Sequence, residues 1–174
     1  MHLLTRAVRR VGYDVVISGY YGYGSLGDEA VLEQIVASLR EKLPDVTVSS
    51  DIIVGFPGES EQDFEDTLTM LKKVKFDMLF SFIYSPRKGT PAAGMENPIP
   101  REVQQARFDR LLAMQKDIGF EKNQALIGAP MRVLCDGVSK TDPMLYSGRT
   151  EGNKIAFFKG TPEDTVNELL EMLK

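Results

Sequence analysis

The sequence has little cysteine, no long apolar run and no excess of basic residues, and each deficit narrows the possible functions. Its 174 residues include one cysteine, Cys135, which excludes an internal disulfide. No stretch approaches the roughly 18 uncharged apolar residues that span a bilayer, and the first ten residues lack the apolar core of a secretory signal. We therefore expect a cytosolic protein. Since the net charge is -4, any contact with nucleic acid depends on a local basic patch.

Strand and helix patterns alternate up to about residue 122, and short strands follow. With 43% hydrophobic residues, the chain can bury a real core. Strands separated by helical patterns are predicted at residues 15–20, 46–56 and 77–84. Three shorter strands and a last helix are predicted at residues 131–135, 146–150, 155–158 and 161–174. The pattern predicts an α/β fold, with an open parallel sheet and helices, then a small β module and a terminal helix.

A glycine-rich turn follows the first predicted strand. Residues 22–27 spell G-x-G-x-x-G directly after an apolar run, and a helix pattern begins at Asp28. Such a turn is typical of phosphate sites, because the N–H groups of the helix start point at the anion. Gly22, Gly24 and Gly27 are the candidate phosphate-binding residues. Alternatively, these glycines only form the turn, and the sequence leaves both interpretations open.

Five motifs between residues 41 and 160 resemble those of one family in both order and spacing. They read DIIVGFPGESEQDFEDTL, FSFIYSPRKGTPAAGM, REVQQARFDRLLAMQ, EKNQALIG and VSKTDPMLYSGRTEGNK. This family is the radical S-adenosylmethionine methylthiotransferases, of the type that modifies isopentenyladenosine beside the tRNA anticodon. The resemblance implies that residues 46–122 are part of an α/β barrel. It further implies that residues 123–160 are an incomplete RNA-binding TRAM module, followed by a C-terminal helix at 161–174.

The resemblance also implies where ligands bind. S-adenosylmethionine, which the family uses together with 4Fe-4S clusters, would lie against the ends of two barrel strands. The implied cofactor-binding residues are Ile53, Gly55, Glu59, Phe82, Ile83 and Tyr84. With tRNA as the partner, the implied RNA-binding residues are Arg132, Lys140, Arg149 and Lys154. The alternative is that Ile53 and Ile83 are core residues and that the basic residues are ordinary surface charges.

The chemistry of this family requires cysteines that the sequence does not contain. A cluster that cleaves S-adenosylmethionine is held by three cysteine thiolates, spaced C-x-x-x-C-x-x-C in the family. Cys135 alone cannot hold such a cluster, and we interpret it as a small buried hydrophobe. We therefore expect a truncated or chimeric chain that is inactive by itself and lacks an amino-terminal part or a partner subunit. The alternative function is RNA binding without catalysis.

Residues 14–39 resemble a second family. The stretch ISGYYGYGSLGDEA is similar to the first strand, glycine-rich turn and helix of polysaccharide pyruvyl transferases. Residues 1–45 are accordingly predicted to be a unit of foreign origin, joined to the rest near residues 40–46. This resemblance leaves a third possible function open, a remnant of a sugar-modifying enzyme.

Overall fold

The structure is a computed structural model, and it describes residues 2–8, 14–20, 26–96 and 98–160, with side chains from residue 30 onward in these ranges. The chain divides into two compact units, residues 1–125 and residues 126–174. The elements of the first are β1 (His2–Val8), β2 (Asp14–Tyr20), α1 (Leu26–Lys42), β3 (Thr47–Val54), α2 (Glu61–Val74), β4 (Met78–Ile83), a 3-10 helix (Pro91–Gly94) and α3 (Arg101–Gln124). Those of the second are β5 (Val133–Val138), β6 (Tyr146–Thr150) and β7 (Ile155–Phe158).

The sheet of the first unit is mixed. Its strand order is β2-β1-β3-β4, in which β1 is antiparallel to both β2 and β3, while β3 and β4 are parallel. The predicted open parallel sheet is confirmed for β3 and β4 only, because β1, which was not foreseen, lies between β2 and β3 and is antiparallel to both. Only five residues separate β1 from β2, a connection that suits antiparallel neighbours, whereas parallel strands need a longer crossover. The parallel pair of β3 and β4 with its helices confirms the α/β class.

Strict alternation in β3 decides which of its residues enter the core. Val48, Ile52 and Val54 are buried, and Ile53 between them is 38% exposed. The buried side chains of β3 pack with apolar residues from the three helices, which are Leu32, Val36, Phe64, Leu68, Met70, Leu71, Val74 and Leu111. The helices therefore cover one face of the β3–β4 pair.

Helix α2 begins with a reciprocal cap. The Asp63 amide donates to the Ser60 hydroxyl at 3.1 Å, and the Ser60 amide donates to the Asp63 carboxylate at 2.8 Å. This capping box satisfies two of the N–H groups that a helix start leaves without partners. Acidic residues in the first turn of α2 and lysines in its last turn also suit the helix dipole. In the part of the chain that the structure describes, no helix has both the length and the hydropathy needed to cross a membrane.

Asp77 ties the amino-terminal ends of β3 and β4 to the helices. Its Oδ2 accepts a hydrogen bond from the Val48 amide at 2.8 Å, and its Oδ1 lies 2.6 Å from Lys122 Nζ of α3. From α1, Arg40 donates to the carbonyl oxygens of Val74 and Lys75 at the end of α2. These contacts fix one end of the parallel pair and leave its carboxyl end for the candidate site.

The second unit, as far as it is described, is a three-stranded antiparallel sheet in the order β5-β6-β7, which confirms the three predicted short strands. A bulge between Cys135 and Gly137 interrupts β5. A Cβ atom at Gly148 would lie 2.4 Å from the carbonyl oxygen of Leu134, so only glycine lets β5 and β6 approach this closely. The predicted terminal helix at 161–174 lies outside the described residues.

Candidate functional site

The carboxyl ends of β3 and β4 form the first candidate site. Val54 and Ile83 are register partners in the parallel pair, and the Tyr84 amide donates to the Val54 carbonyl oxygen at 2.9 Å. Parallel α/β folds bind their ligands at this end of the strands, where loops leave the sheet. We call the segment 55–59 together with Tyr84 the strand-end site. Three of the six predicted cofactor-binding residues, Gly55, Glu59 and Tyr84, belong to it.

Gly55 is required by the fold itself. Its φ is +74°, which disfavours any residue with a side chain, and an added Cβ would lie 2.5 Å from Cγ of Gln104. Gln104 comes from the first turns of α3, is buried, and donates from Nε2 to the Gly55 carbonyl oxygen at 3.0 Å. The structure thus puts a side chain of α3 against Gly55. The predicted contact between Gly55 and a cofactor stays a prediction.

Glu59 uses both carboxylate oxygens within the fold. Its Oε2 accepts a hydrogen bond from the Gly55 amide at 2.9 Å, which closes the turn 55–59. Its Oε1 lies 2.7 Å from Nη1 of Arg107, and the two side chains are only 13% and 7% exposed. Arg107 Nη1 also donates to the Glu59 carbonyl oxygen. Glu59 therefore positions the turn, and its predicted contact with a cofactor is not tested.

Two arginines of α3 hold the start of α2. The guanidinium groups of Arg107 and Arg110 lie 5.6 Å and 5.0 Å from the ring centroid of Phe64, a cation–π arrangement. Both also donate to Glu61, and Arg110 pairs with Glu65 as well. Desolvation alone would raise the pKa of Glu61, but the hydrogen bonds from Arg110 and Arg107 outweigh it and lower that pKa. The hydrogen bond to Glu65, followed by that to Glu61, raises the pKa of Arg110.

Ile53 and Phe82 lie side by side on the face of the sheet that the helices do not cover. They are register partners, and they are 38% and 53% exposed. Phe80, 46% exposed and two residues before Phe82 in β4, shares this face but was not among the predicted residues. Strand alternation would have indicated it.

Ile83 points the other way. It is partly buried and packs against the core cluster. For Ile83, this geometry agrees with the alternative prediction of a core residue. Tyr84 stacks edge-on against Phe56, with ring centroids 5.0 Å apart and an interplanar angle of 67°. Its hydroxyl is buried without a hydrogen-bond partner among the described residues, which is unfavourable for a polar group.

The predicted RNA-binding residues fall at two places in the second unit. Register pairs Val133 with Thr150. The Thr150 amide donates to the Lys154 carbonyl oxygen and the Lys154 amide donates to the Thr150 hydroxyl, so Arg132, Arg149 and Lys154 lie near one end of the sheet. Lys140 is in the loop at the opposite end. Carboxylates adjoin both arginines, with Glu151 3.4 Å from Arg132 and Asp136 3.8 Å from Arg149.

The single thiol does not form a metal site by itself. Cys135 is half-buried and stands opposite Gly148 in the sheet. Within the described ranges, no group of three or more His, Cys, Asp or Glu residues could hold a metal ion, and a cluster that needs three thiolates does not fit a chain with one cysteine. Gly22 and Gly24 lie outside the described residues, and Gly27 is the second residue of α1.

Sequence comparison relates this chain to larger proteins. No family model matches it. The tRNA-2-methylthio-N(6)-dimethylallyladenosine synthases of Acetivibrio thermocellus, Moorella thermoacetica and Caldicellulosiruptor saccharolyticus are 50%, 48% and 48% identical to it over 125, 127 and 130 residues. These matches cover 72%, 73% and 75% of this chain but only 26%, 29% and 27% of the relatives. The chain thus spans less than a third of the curated relatives that it matches, and it is homologous to a part of the tRNA-2-methylthio-N(6)-dimethylallyladenosine synthases.

Proposed function

We propose that this chain acts in tRNA modification by methylthiolation, contributing a tRNA-binding surface and one wall of the cofactor pocket, and that it does not catalyse the reaction alone. The observation that carries this proposal is the 50% identity over 125 residues to a synthase whose name states a tRNA product. The chain covers only 26% of that relative, so the relative's whole activity is not assigned to this chain alone.

The first unit supplies the cofactor wall. The order β3, α2, β4, α3 with parallel strands is the repeating arrangement of α/β barrels, which supports assigning residues 46–122 to part of such a barrel. Ile53 and Phe82 offer an exposed apolar surface that suits the adenine of S-adenosylmethionine. In the family, S-adenosylmethionine would supply the radical and methyl chemistry only with an electron from a 4Fe-4S cluster, which the one cysteine of this chain does not hold. Glu59, held by Arg107, keeps the turn beside this surface in place.

The second unit supplies the contact to RNA, as its resemblance to a TRAM module suggests. Between residues 123 and 160 there are five lysines and arginines but only three acidic residues, whereas the whole chain has a net charge of -4. Positive charge is thus concentrated in the part that would meet RNA phosphates. Arg132, Lys140, Arg149 and Lys154 are the residues proposed for this contact.

Binding to a tRNA anticodon stem-loop at several salt concentrations tests this proposal. Fluorescence anisotropy should give an affinity that falls as salt rises, because phosphate contacts release counterions. Changing Arg149 and Lys154 together to alanine should weaken binding and lower the salt slope by about 1 to 2. The charge-matched control changes Lys42 and Lys116, exposed residues of the first unit, and should bind like the parent chain.

Two results would contradict the proposal. RNA binding that is absent, or that is equally strong in the Arg149 and Lys154 double variant, would remove the tRNA-binding role. Methylthiolation by the purified chain, after anaerobic addition of iron and sulfide and without another protein, would show that it needs no partner. The phosphate-binding role of the glycine-rich turn stays a prediction.

A further inference from the structure

One face of the β5–β7 sheet presents exposed apolar side chains around an arginine. Register places Leu134, Arg149 and Ile155 in one row across the three strands, and Phe157 stands in the next row beside Ser147. Because partners in an antiparallel pair share a face, Leu134, Arg149, Ile155 and Phe157 lie on the same side. We call these four residues the exposed sheet face.

Among the described residues, the packing of the second unit does not use this face. Leu134, Ile155 and Phe157 are 76%, 61% and 56% exposed. The opposite side contains the buried Thr150 and the stacked rings of Tyr146 and Phe158, whose centroids are 6.2 Å apart. Contiguous exposed apolar surface is typical of interaction sites.

The arginine at its centre is held in place by its neighbours. Arg149 Nη1 donates to the Asn153 side-chain oxygen at 3.0 Å, and its Nε lies 3.8 Å from Asp136 Oδ2. The guanidinium is thereby restrained beside the apolar side chains although its side chain remains 50% exposed. A planar guanidinium and an aromatic ring on one sheet face are the groups on which proteins stack unpaired bases.

Charge favours RNA over a protein as the occupant. Lys154 directly precedes β7 and Lys159 directly follows it, so a cation stands at each end of the strand that carries Phe157. These positive charges complement the phosphates of a nucleic acid.

We propose that the exposed sheet face stacks unpaired RNA bases, with Phe157 and Arg149 as the stacking groups. This inference rests on the proposed function, because it takes tRNA binding as given and names the residues that contact its bases. Phe157 is absent from the residues that the sequence indicated, since only the register of the three strands brings it to the side of Arg149. Unpaired loop nucleotides are the expected ligand, because bases in a duplex are already stacked.

The chain contains no tryptophan, which allows a fluorescent base to report on stacking. An anticodon stem-loop with 2-aminopurine at an unpaired loop position should change its fluorescence on binding, and the same base in the stem should not. Phe157→Leu keeps an apolar side chain but removes the ring. It should lower affinity about 5- to 150-fold and abolish the loop signal, because one stacked base contributes about 1–3 kcal/mol.

Three controls separate stacking from other effects. Phe157→Tyr retains a ring and should restore binding. Phe120→Leu changes another exposed phenylalanine, 65% exposed on α3, and should have no effect. The salt slope of Phe157→Leu should equal that of the parent chain, because no phosphate contact is removed. Circular dichroism and the melting temperature check that each variant is folded, and Ile155→Ser tests the same face by a second route.

The outcomes distinguish this inference from the proposed function. Unchanged affinity and unchanged loop fluorescence in Phe157→Leu, with salt-dependent RNA binding preserved, would overturn the stacking face and leave the proposed function standing. Failure of the parent chain to bind RNA at all would overturn both. A dimer in analytical ultracentrifugation that Phe157→Leu converts to a monomer would show that the face binds a second copy, which also overturns the inference.

Discussion

The two units of the chain keep their apolar residues in different places. Every apolar residue that is fully buried among the described residues belongs to the first unit, between Leu32 and Ile118. In the described part of the second unit, the buried side chains are those of Ser139 and Thr150, whereas Leu134 and Ile155 are exposed. The first unit is therefore stabilised by a covered core, and the described sheet of the second mainly by backbone pairing and polar turns. In the described part of the second unit, large apolar side chains are therefore exposed to solvent.

The largest difference in the free energy of unfolding should come from breaking one ion pair in each unit. Arg107→Met leaves Glu59 buried and without its partner, which should lower the free energy of unfolding of the first unit by about 3–5 kcal/mol. Arg132→Met breaks the exposed pair with Glu151, at 51% and 37% exposure, and should change stability by less than about 1 kcal/mol. Urea unfolding, followed by hydrogen-exchange mass spectrometry of peptides from each unit, measures both.

A double variant tests whether the loss in Arg107→Met comes from the unpaired charge of Glu59. Glu59→Gln combined with Arg107→Met removes both charges, so the double variant should be less destabilised than the sum of the two single changes. Equal losses for Arg107→Met and Arg132→Met would mean that burial does not distinguish the two pairs, and the contrast between the units would fail.

Two isoleucines provide the next test. Ile52 is 0% exposed, and Ile52→Ala should cost about 2–5 kcal/mol, because it leaves a cavity among the helices. Ile155→Ala, at 61% exposure in the second unit, should cost less than about 1 kcal/mol. Ile53→Ala is the matched neighbour within β3 and should resemble Ile155→Ala. A large loss of stability from Ile155→Ala would show that the second unit has a core on its exposed sheet face. The contrast between the two units would then fail.

The smallest expected effect is the pH dependence of the first unit. Although desolvation raises the pKa of Glu61, hydrogen bonds from Arg110 and Arg107 bring it below its ordinary value of 4.5. Because the folded pKa is lower than the unfolded one, Glu61 contributes stability above about pH 4.5 and loses it as the pH falls through the folded value. Glu61→Gln should therefore reduce the acid-induced loss of stability in peptides of the first unit.

The urea midpoint at pH 5 and at pH 3 measures this effect. Glu151→Gln removes a carboxylate from the second unit and serves as the control, since it should leave the acid response of the first unit unchanged. If Glu61→Gln lost as much stability between the two pH values as the parent chain, the arginine contacts to Glu61 would contribute nothing to acid stability.

The sequence predicted the local elements better than their arrangement. Periodicity located β3, β4 and the three strands of the second unit, because alternation and apolar runs are local properties. It did not place β1 between β2 and β3, because strand pairing depends on contacts distant in sequence. Kinship with a part of the synthases is confirmed, while the assigned domains and binding residues remain predictions.

The candidate site shows the same difference between what local sequence indicates and what tertiary contacts decide. Gly55 and Glu59 were indicated by a motif, but Gln104 and Arg107, which hold them, lie 45 or more residues further along the chain. No periodic signal marks these two residues, because an inward-facing polar residue in a helix looks like an ordinary surface residue until its partner is known. For the same reason, the sequence suggested that Phe82 and Ile83 act together, whereas the structure puts them on opposite faces.

By itself, the sequence determined that one thiol cannot hold a cluster and that basic residues outnumber acidic ones between residues 123 and 160, since both follow from the number and position of residues. Only the tertiary structure decided which apolar residues are buried and which are exposed, because that depends on where the helices lie against each sheet. It also decided that Arg149 and Phe157 share a face, since their proximity comes from strand register, which adjacent residues do not encode.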